Sequence, residues 1–135
     1  MKTMADAFMD AGGYAIGVSV SSLAEKHPIN PRCQEQILVK DLAERKAYMI
    51  THADAAVALP GAVGTLDEVF DTAAKAKLGE KRIRVGLLNV CGYYDPLIAL
   101  RNNAHAAGLI HPYAKSILKI DADPNRLLDT VLKPF

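Results

Sequence analysis

Residues 54–70 read DAAVALPGAVGTLDEVF, and this stretch decides the fold. Its first six residues form a short apolar run that is typical of a buried β-strand. The next five, PGAVG, include two glycines, and the remainder carries Leu66, Val69 and Phe70 on one helical face. A strand, a glycine-containing loop and a helix in this order indicate one unit of a parallel α/β fold.

The same alternation continues on both sides of this stretch. Strands are predicted at residues 14–20, 54–59, 83–90 and 117–120. Helices are predicted near the start, ending at Gly12 and Gly13, and then at residues 34–50, 65–78, 95–107 and from 124 onward. Because the strands are nearly continuous apolar runs, we expect a parallel sheet with helices on both faces. The length of 135 residues suits a single domain, residues 1–135.

Composition argues against several function classes. Half of the residues (50%) are hydrophobic and the net charge is +1, so there is no electrostatic reason to expect a nucleic-acid or membrane partner. The apolar runs are too short to span a bilayer, and Asp6 and Asp10 stand where a signal peptide has its uncharged core. We therefore expect a cytoplasmic protein. Cys33 and Cys91 form no metal-binding spacing, so no metal site is expected.

The loop after the second of these strands has two interpretations. Gly61 and Gly64 would let backbone N–H groups approach an anion, and the helix N-terminus that follows favours a phosphate. Two glycines before a helix are, however, a weak signal. Thr65 and Glu68 also stand in the T-x-x-E relation of a capping box, in which each side chain satisfies a backbone donor. From local sequence alone, the capping box is the better interpretation.

Arg45 and Lys46 lie in DLAERKAYM (41–49), on the helix that precedes the loop. Asp41 and Arg45 are four residues apart and suit a surface ion pair worth only about 0.3–0.5 kcal/mol. Alternatively, the helix packs beside the glycine loop and brings a guanidinium group towards a bound anion. The spacing of the residues alone does not decide between a surface ion pair and anion binding.

These motifs together resemble the phosphoribohydrolases called LOG, or Lonely Guy, a family long described as lysine decarboxylases. That family carries PGGxGTxxE, and residues 60–68 read PGAVGTLDE. It also carries MHxRK, and residues 42–46 read LAERK. The resemblance extends to VGLLNVCGYYDPLIAL (85–100) and MADAFMDAGGYAIGV (4–18), and so covers almost the whole chain.

The resemblance implies a Rossmann-like fold, usually a homodimer, that hydrolyses nucleoside 5'-monophosphates such as cytokinin riboside monophosphates to free base and ribose 5-phosphate. It implies no metal, nicotinamide or pyridoxal cofactor, and nothing marks the Schiff-base lysine that a pyridoxal decarboxylase needs. It assigns catalysis to Arg45 and Glu68. Residues expected to bind substrate are Lys46, Gly61, Ala62, Val63, Gly64 and Thr65. The alternative is a non-catalytic nucleotide-binding or carrier protein.

The sequence departs from the family pattern in three places. Ala62 replaces the second glycine of PGG, which matters only if that residue needs a positive φ or very close ligand approach. Leu42 and Ala43 replace the Met and His of MHxRK. We also expect the domain to be N-terminally incomplete, because a first strand–helix–strand unit of the family has no counterpart here. Its two strands would lie between residues 14–20 and 54–59, so we expect weak or no hydrolase activity from the isolated chain.

Overall fold

The computed structural model describes residues 2–110 and 117–134. Helices and strands alternate through this part of the chain. In chain order they are α1 (Lys2–Asp10), β1 (Ile16–Val20), α2 (Ser21–Ala24), β2 (Glu35–Val39), α3 (Leu42–His52), β3 (Ala55–Ala58), α4 (Val63–Leu78), β4 (Arg84–Leu88), α5 (Asp95–Ala106), β5 (Leu118–Asp121) and α6 (Pro124–Val131). A single 3-10 turn at Val90–Gly92 lies between β4 and α5.

The chain divides into two compact units, Met1–Met49 and Ile50–Phe135. The first contains a two-stranded parallel sheet, β1–β2, and the second a three-stranded parallel sheet in the order β3–β4–β5. The predicted Rossmann-like α/β class, with parallel sheets and helices around them, is confirmed. The single domain stays a prediction. None of the described helices has the length and apolar character needed to cross a bilayer, and the cytoplasmic location also stays a prediction.

The first unit is built on the parallel pair β1–β2. Gly12 ends α1 with a φ of 86°, as the two glycines predicted. Arg32, in the loop between α2 and β2, donates to the carboxylates of Asp6 and Asp10 on α1. These exposed ion pairs attach the loop to α1 and contribute little stability individually.

The helix predicted over residues 34–50 is wrong in its first part. Residues 35–39 form β2, which pairs in register with β1 from Ile16↔Glu35 to Val20↔Val39. The spacing of Ile37, Leu38 and Leu42 fits one face of a helix, but the backbone of β2 finds its hydrogen-bond partners on β1 instead. Pairing with a strand some twenty residues away overrides the local pattern.

The second unit packs helices on both faces of its sheet. Val85 and Leu87 of β4 are buried in one cluster with Val69 of α4. Gly86 lies between them in the strand and points to the opposite face, where a Cβ atom built on it would lie 3.0 Å from Val131 of α6. The sheet is therefore covered by α4 on one side and by α6 on the other.

The parallel register brings the carboxyl ends of the three strands to one edge. Ala58 of β3 lies opposite Leu87, and Leu88 lies opposite Asp121 of β5. Directly after β4, the Asn89 N–H donates to the Asp121 carbonyl at 2.9 Å. The loops that follow β3, β4 and β5 therefore start close together, as expected for a ligand site in a parallel α/β sheet.

Charged hydrogen bonds hold the end of β5. The Asp121 carboxylate accepts two hydrogen bonds from the Arg126 side chain, at 2.8 and 3.1 Å, and one from the Asp123 N–H at 2.8 Å. The bonds from Arg126 and then that from Asp123 lower the pKa of the Asp121 carboxyl from 3.8 to about 2. Asp123 in turn caps α6 by accepting the Arg126 N–H, as its sequence predicted.

Candidate functional site

The candidate site begins where the chain leaves β3. After a four-residue loop, α4 begins at Val63, two residues before its predicted start. Ala62 is the N-cap residue, and its carbonyl accepts the first helical hydrogen bond, from the Leu66 N–H at 3.2 Å. The first four N–H groups of a helix have no carbonyl partner within it. Residues 62–65 therefore present a row of backbone donors at the positive end of the α4 dipole.

The predicted capping box at this helix is wrong. Within residues 2–110 and 117–134 no side chain caps α4, and Thr65 is the third residue of the helix rather than its N-cap. The Thr65 side chain lies against Gly61 instead. A Cβ atom built on Gly61 would overlap the Thr65 hydroxyl and lie 2.9 Å from Thr65 Cβ. Gly61 is needed because the loop folds closely over Thr65 and leaves no room for a side chain.

Gly64 differs from Gly61 because the fold leaves space for a side chain there. A Cβ atom built on Gly64 meets nothing within 4 Å, and its φ is not positive. A helix with glycine at such a position is less stable than one with alanine by about 0.5–1 kcal/mol. Packing therefore gives no reason for glycine at position 64. The missing side chain instead leaves the first turn of α4 open to a ligand. Ala62, with φ −85° and ψ −157°, has no need of glycine, which makes this departure from the family motif tolerable.

Two tyrosines that the sequence analysis gave no role hold the loop from the neighbouring strand end. The Tyr94 hydroxyl donates to the Leu59 carbonyl at 2.7 Å, and the Tyr93 hydroxyl donates to the Gly61 carbonyl at 2.8 Å. Asn89, at the end of β4, accepts the Tyr94 N–H at 2.7 Å. The motif GYYDP (92–96) contains both tyrosines, but no local sequence pattern predicts that they contact a loop some thirty residues earlier in the chain.

Glu68 lies one helical turn beyond the row of N–H groups. It is half-buried, and its carbonyl accepts the Thr72 hydroxyl at 2.7 Å. Residues four apart share a helix face, and a helical side chain leans over the turn that precedes it. The Glu68 side chain therefore lies on the same side of α4 as Gly64. An anion at the helix end would hold the rest of its molecule next to this carboxylate.

Arg45 and Lys46 lie on α3 in the first unit, and both are half-buried. The Arg45 Nε donates to the Val18 carbonyl of β1 at 3.1 Å. Asp41 accepts the Glu44 N–H at 2.8 Å. Asp41 therefore serves as the cap of α3, and its expected ion pair with Arg45 stays a prediction. The roles predicted for Arg45 and Lys46 in catalysis and binding stay predictions.

The chemistry available in the second unit is that of an anion site beside a carboxylate. Backbone donors at a helix N-terminus bind phosphate without any cationic side chain. Gly61, Ala62, Val63, Gly64 and Thr65, all predicted to bind substrate, form this helix entry together. Among the described residues, no three His, Cys, Asp or Glu side chains are grouped as metal ligands would be.

Comparison with known proteins identifies relatives along most of the chain. A family model described as possible lysine decarboxylase matches residues 1–131. The chain is 36% identical to LOGL2 of Oryza sativa subsp. japonica, a probable cytokinin riboside 5'-monophosphate phosphoribohydrolase, over 96% of its own length and 53% of that protein. It is 39% identical to the cytokinin riboside 5'-monophosphate phosphoribohydrolase LOG5 of Arabidopsis thaliana, over 87% of its length and 51% of that protein.

A third relative is more similar over a shorter region. LOGL9 of Oryza sativa subsp. japonica, another probable cytokinin riboside 5'-monophosphate phosphoribohydrolase, is 45% identical over 83% of this chain and 49% of that protein. The chain spans about half the length of the curated relatives it matches.

The two loop glycines give a direct test of this geometry. We expect Gly61→Ala to lower the free energy of unfolding by about 1–3 kcal/mol, because the added methyl group overlaps Thr65. We expect Gly64→Ala to raise it by up to about 1 kcal/mol, because alanine favours the helix and meets open space. Urea denaturation of both variants measures the difference. Equal effects of the two substitutions would contradict the described loop.

Proposed function

The chain belongs to the LOG family, whose family model is described as possible lysine decarboxylase, and on that premise we propose that it acts on nucleoside 5'-monophosphates. The reaction is hydrolysis of the N-glycosidic bond, with free base and ribose 5-phosphate as products. The substrate class is a cytokinin riboside 5'-monophosphate, the substrate in the names of its relatives. One observation carries the proposal: the open first turn of α4, with Glu68 one turn further on.

The phosphate binds at the row of N–H groups in residues 62–65. A dianionic phosphate gains from the unpaired donors and from the partial positive charge of a 16-residue helix. The absence of a side chain at Gly64 allows close approach of the phosphate oxygens. This anchoring fixes the ribose relative to α4.

Glu68 acts on the sugar. Departure of the base leaves an oxocarbenium-like ribose, and a nearby carboxylate stabilises that positive charge. Glu68 also orients the attacking water and accepts its proton. The water oxygen bonds to C1′ as the bond from C1′ to the base nitrogen breaks, and the proton that Glu68 accepted is then returned through solvent to the released base.

Arg45 and Lys46 lie on α3 in the first unit. On the family pattern alone, we propose that Arg45 is a catalytic residue and that Lys46 contributes to substrate binding. A guanidinium group suits such a role, because its planar donors match phosphate and carboxylate oxygens.

Replacement of Glu68 by glutamine tests the catalytic role. We expect weak release of free base from the unmodified chain and none from Glu68→Gln, measured with a panel of nucleoside 5'-monophosphates that includes cytokinin ribotides. Because the phosphate is held by backbone groups, affinity for ribose 5-phosphate should stay within about twofold of the unmodified chain. Chromatography of the free base and calorimetric titration of ribose 5-phosphate measure the two quantities.

A matched control is Glu80→Gln, which makes the same change at an exposed glutamate just after α4. This variant should release base at the rate of the unmodified chain. Base release by Glu68→Gln at that same rate would contradict the assignment.

We also propose that two copies of the chain associate through the exposed face of α4. Phe70 and Leu78 are 48% and 71% exposed, and they lie on one helix face with the exposed Ala74 between them. Exposed apolar stripes of this kind mark interaction surfaces. The homodimer usual in the family supports a second copy as the partner.

Sedimentation velocity tests the association. We expect a dimer for the unmodified chain and a monomer for Phe70→Glu, because a buried unpaired carboxylate opposes association. Leu100→Glu, at a leucine of α5 that is 63% exposed, should remain a dimer. A monomeric unmodified chain at tens of micromolar, or dissociation by both substitutions, would contradict an interface on α4.

A further inference from the structure

Tyr93 is half exposed, yet its hydroxyl is engaged by the loop before α4. The residue as a whole is 50% exposed, whereas the adjacent Tyr94 is only 2% exposed. The Tyr93 hydroxyl donates to the Gly61 carbonyl at 2.8 Å. Because an exposed tyrosine contributes little to core packing, the contact of Tyr93 with the loop has a purpose other than stabilising the core.

The planarity of the peptide group links this hydrogen bond to the anion site. In a trans peptide the carbonyl of one residue and the N–H of the next point in opposite directions. A hydrogen bond that fixes the Gly61 carbonyl therefore also fixes the direction of the Ala62 N–H. That N–H is the first of the four donors at the end of α4 and has no acceptor within the described residues.

We propose that Tyr93 is a positioning residue, which holds the peptide between Gly61 and Ala62 so that the Ala62 N–H points at the substrate phosphate. Without the hydroxyl, this peptide is free to rotate, because Gly61 adopts many backbone conformations. The inference rests on the proposed phosphate site and adds to it a residue from a different loop.

The backbone before Tyr93 is shaped to deliver this contact. Cys91, with φ 50°, is the one non-glycine residue of the described chain in the left-handed region, and Gly92 follows with φ 72°. Two successive left-handed residues turn the chain back sharply after β4. A Cβ atom built on Gly92 would lie 3.2 Å from the Asp95 carboxyl carbon, so the turn is also closely packed.

The buried Tyr94 holds the adjacent Tyr93 in place. It packs in the core with Val85 and Leu87, and burial raises the pKa of its hydroxyl. The two tyrosine rings meet edge to face, with centroids 5.1 Å apart and planes at 86°. Tyr94 therefore stabilises the unit, whereas Tyr93 orients one peptide of the loop.

The substitution Tyr93→Phe separates positioning from stability, because it removes the hydroxyl and keeps the ring contact with Tyr94. Tyr14→Phe is the matched control, since the 60% exposed Tyr14 loses a hydroxyl that donates to Glu35 at 2.7 Å in the first unit. Calorimetric titration with ribose 5-phosphate should show binding weakened about three- to tenfold in Tyr93→Phe and unchanged in Tyr14→Phe. Both variants should melt within about 2 °C of the unmodified chain, since neither hydroxyl is buried.

An NMR measurement without ligand reports on the peptide itself. In Tyr93→Phe, the Ala62 amide resonance should shift and its ¹⁵N order parameter should fall, while the same amide in Tyr14→Phe stays unchanged. Unchanged affinity and an unchanged Ala62 amide in Tyr93→Phe would overturn the positioning role and leave the proposed function intact. Failure of the unmodified chain to bind ribose 5-phosphate would overturn the proposed function and this inference together.

Discussion

The parallel pairing of β3 with β4 and of β4 with β5 is the constraint on which the candidate site depends. It brings three strand ends to one edge of the sheet, and the loop after β4 thereby comes within reach of the loop after β3. The buried Tyr94 then bonds to Leu59, and Tyr93 bonds to Gly61. Without this register, the residues of PGAVG would be an unsupported loop, and the first turn of α4 would have no fixed direction.

The phosphate site proposed here uses backbone groups almost entirely. Gly61 lets the loop fold over Thr65, Ala62 begins the helix in an extended conformation, and Gly64 keeps the helix end open. The single acidic side chain of the mechanism, Glu68, follows one turn later on the same face. In this proposal the helix N-terminus supplies the attraction for the dianion, so the net charge of only +1 is no obstacle to binding.

Sequence reasoning predicted the parts of this arrangement that local patterns determine. The strand, the loop, α4 and the side of α4 that carries Glu68 all follow from residue types and spacing. It missed β2, because Ile37 and Leu38 also suit a helix and only the pairing with β1 decides between the two. It placed the start of α4 at Thr65, because T-x-x-E matches a capping box, whereas contact with Gly61 engages that threonine differently. The roles of Tyr93 and Tyr94 depend on contacts more than thirty residues apart in sequence, which no local pattern reveals.

The measurement that tests this account most directly is an NMR titration of the ¹⁵N-labelled chain with ribose 5-phosphate, followed at every assigned backbone amide. The account predicts that the largest shifts fall on the amides of residues 62–65. The start of α6, where Asp123 already accepts the Arg126 N–H, should be unaffected. Two results at saturating ribose 5-phosphate would contradict a phosphate site at the start of α4. One is that the amide chemical shifts of residues 62–65 do not change, and the other is that the amides at the start of α6 shift equally.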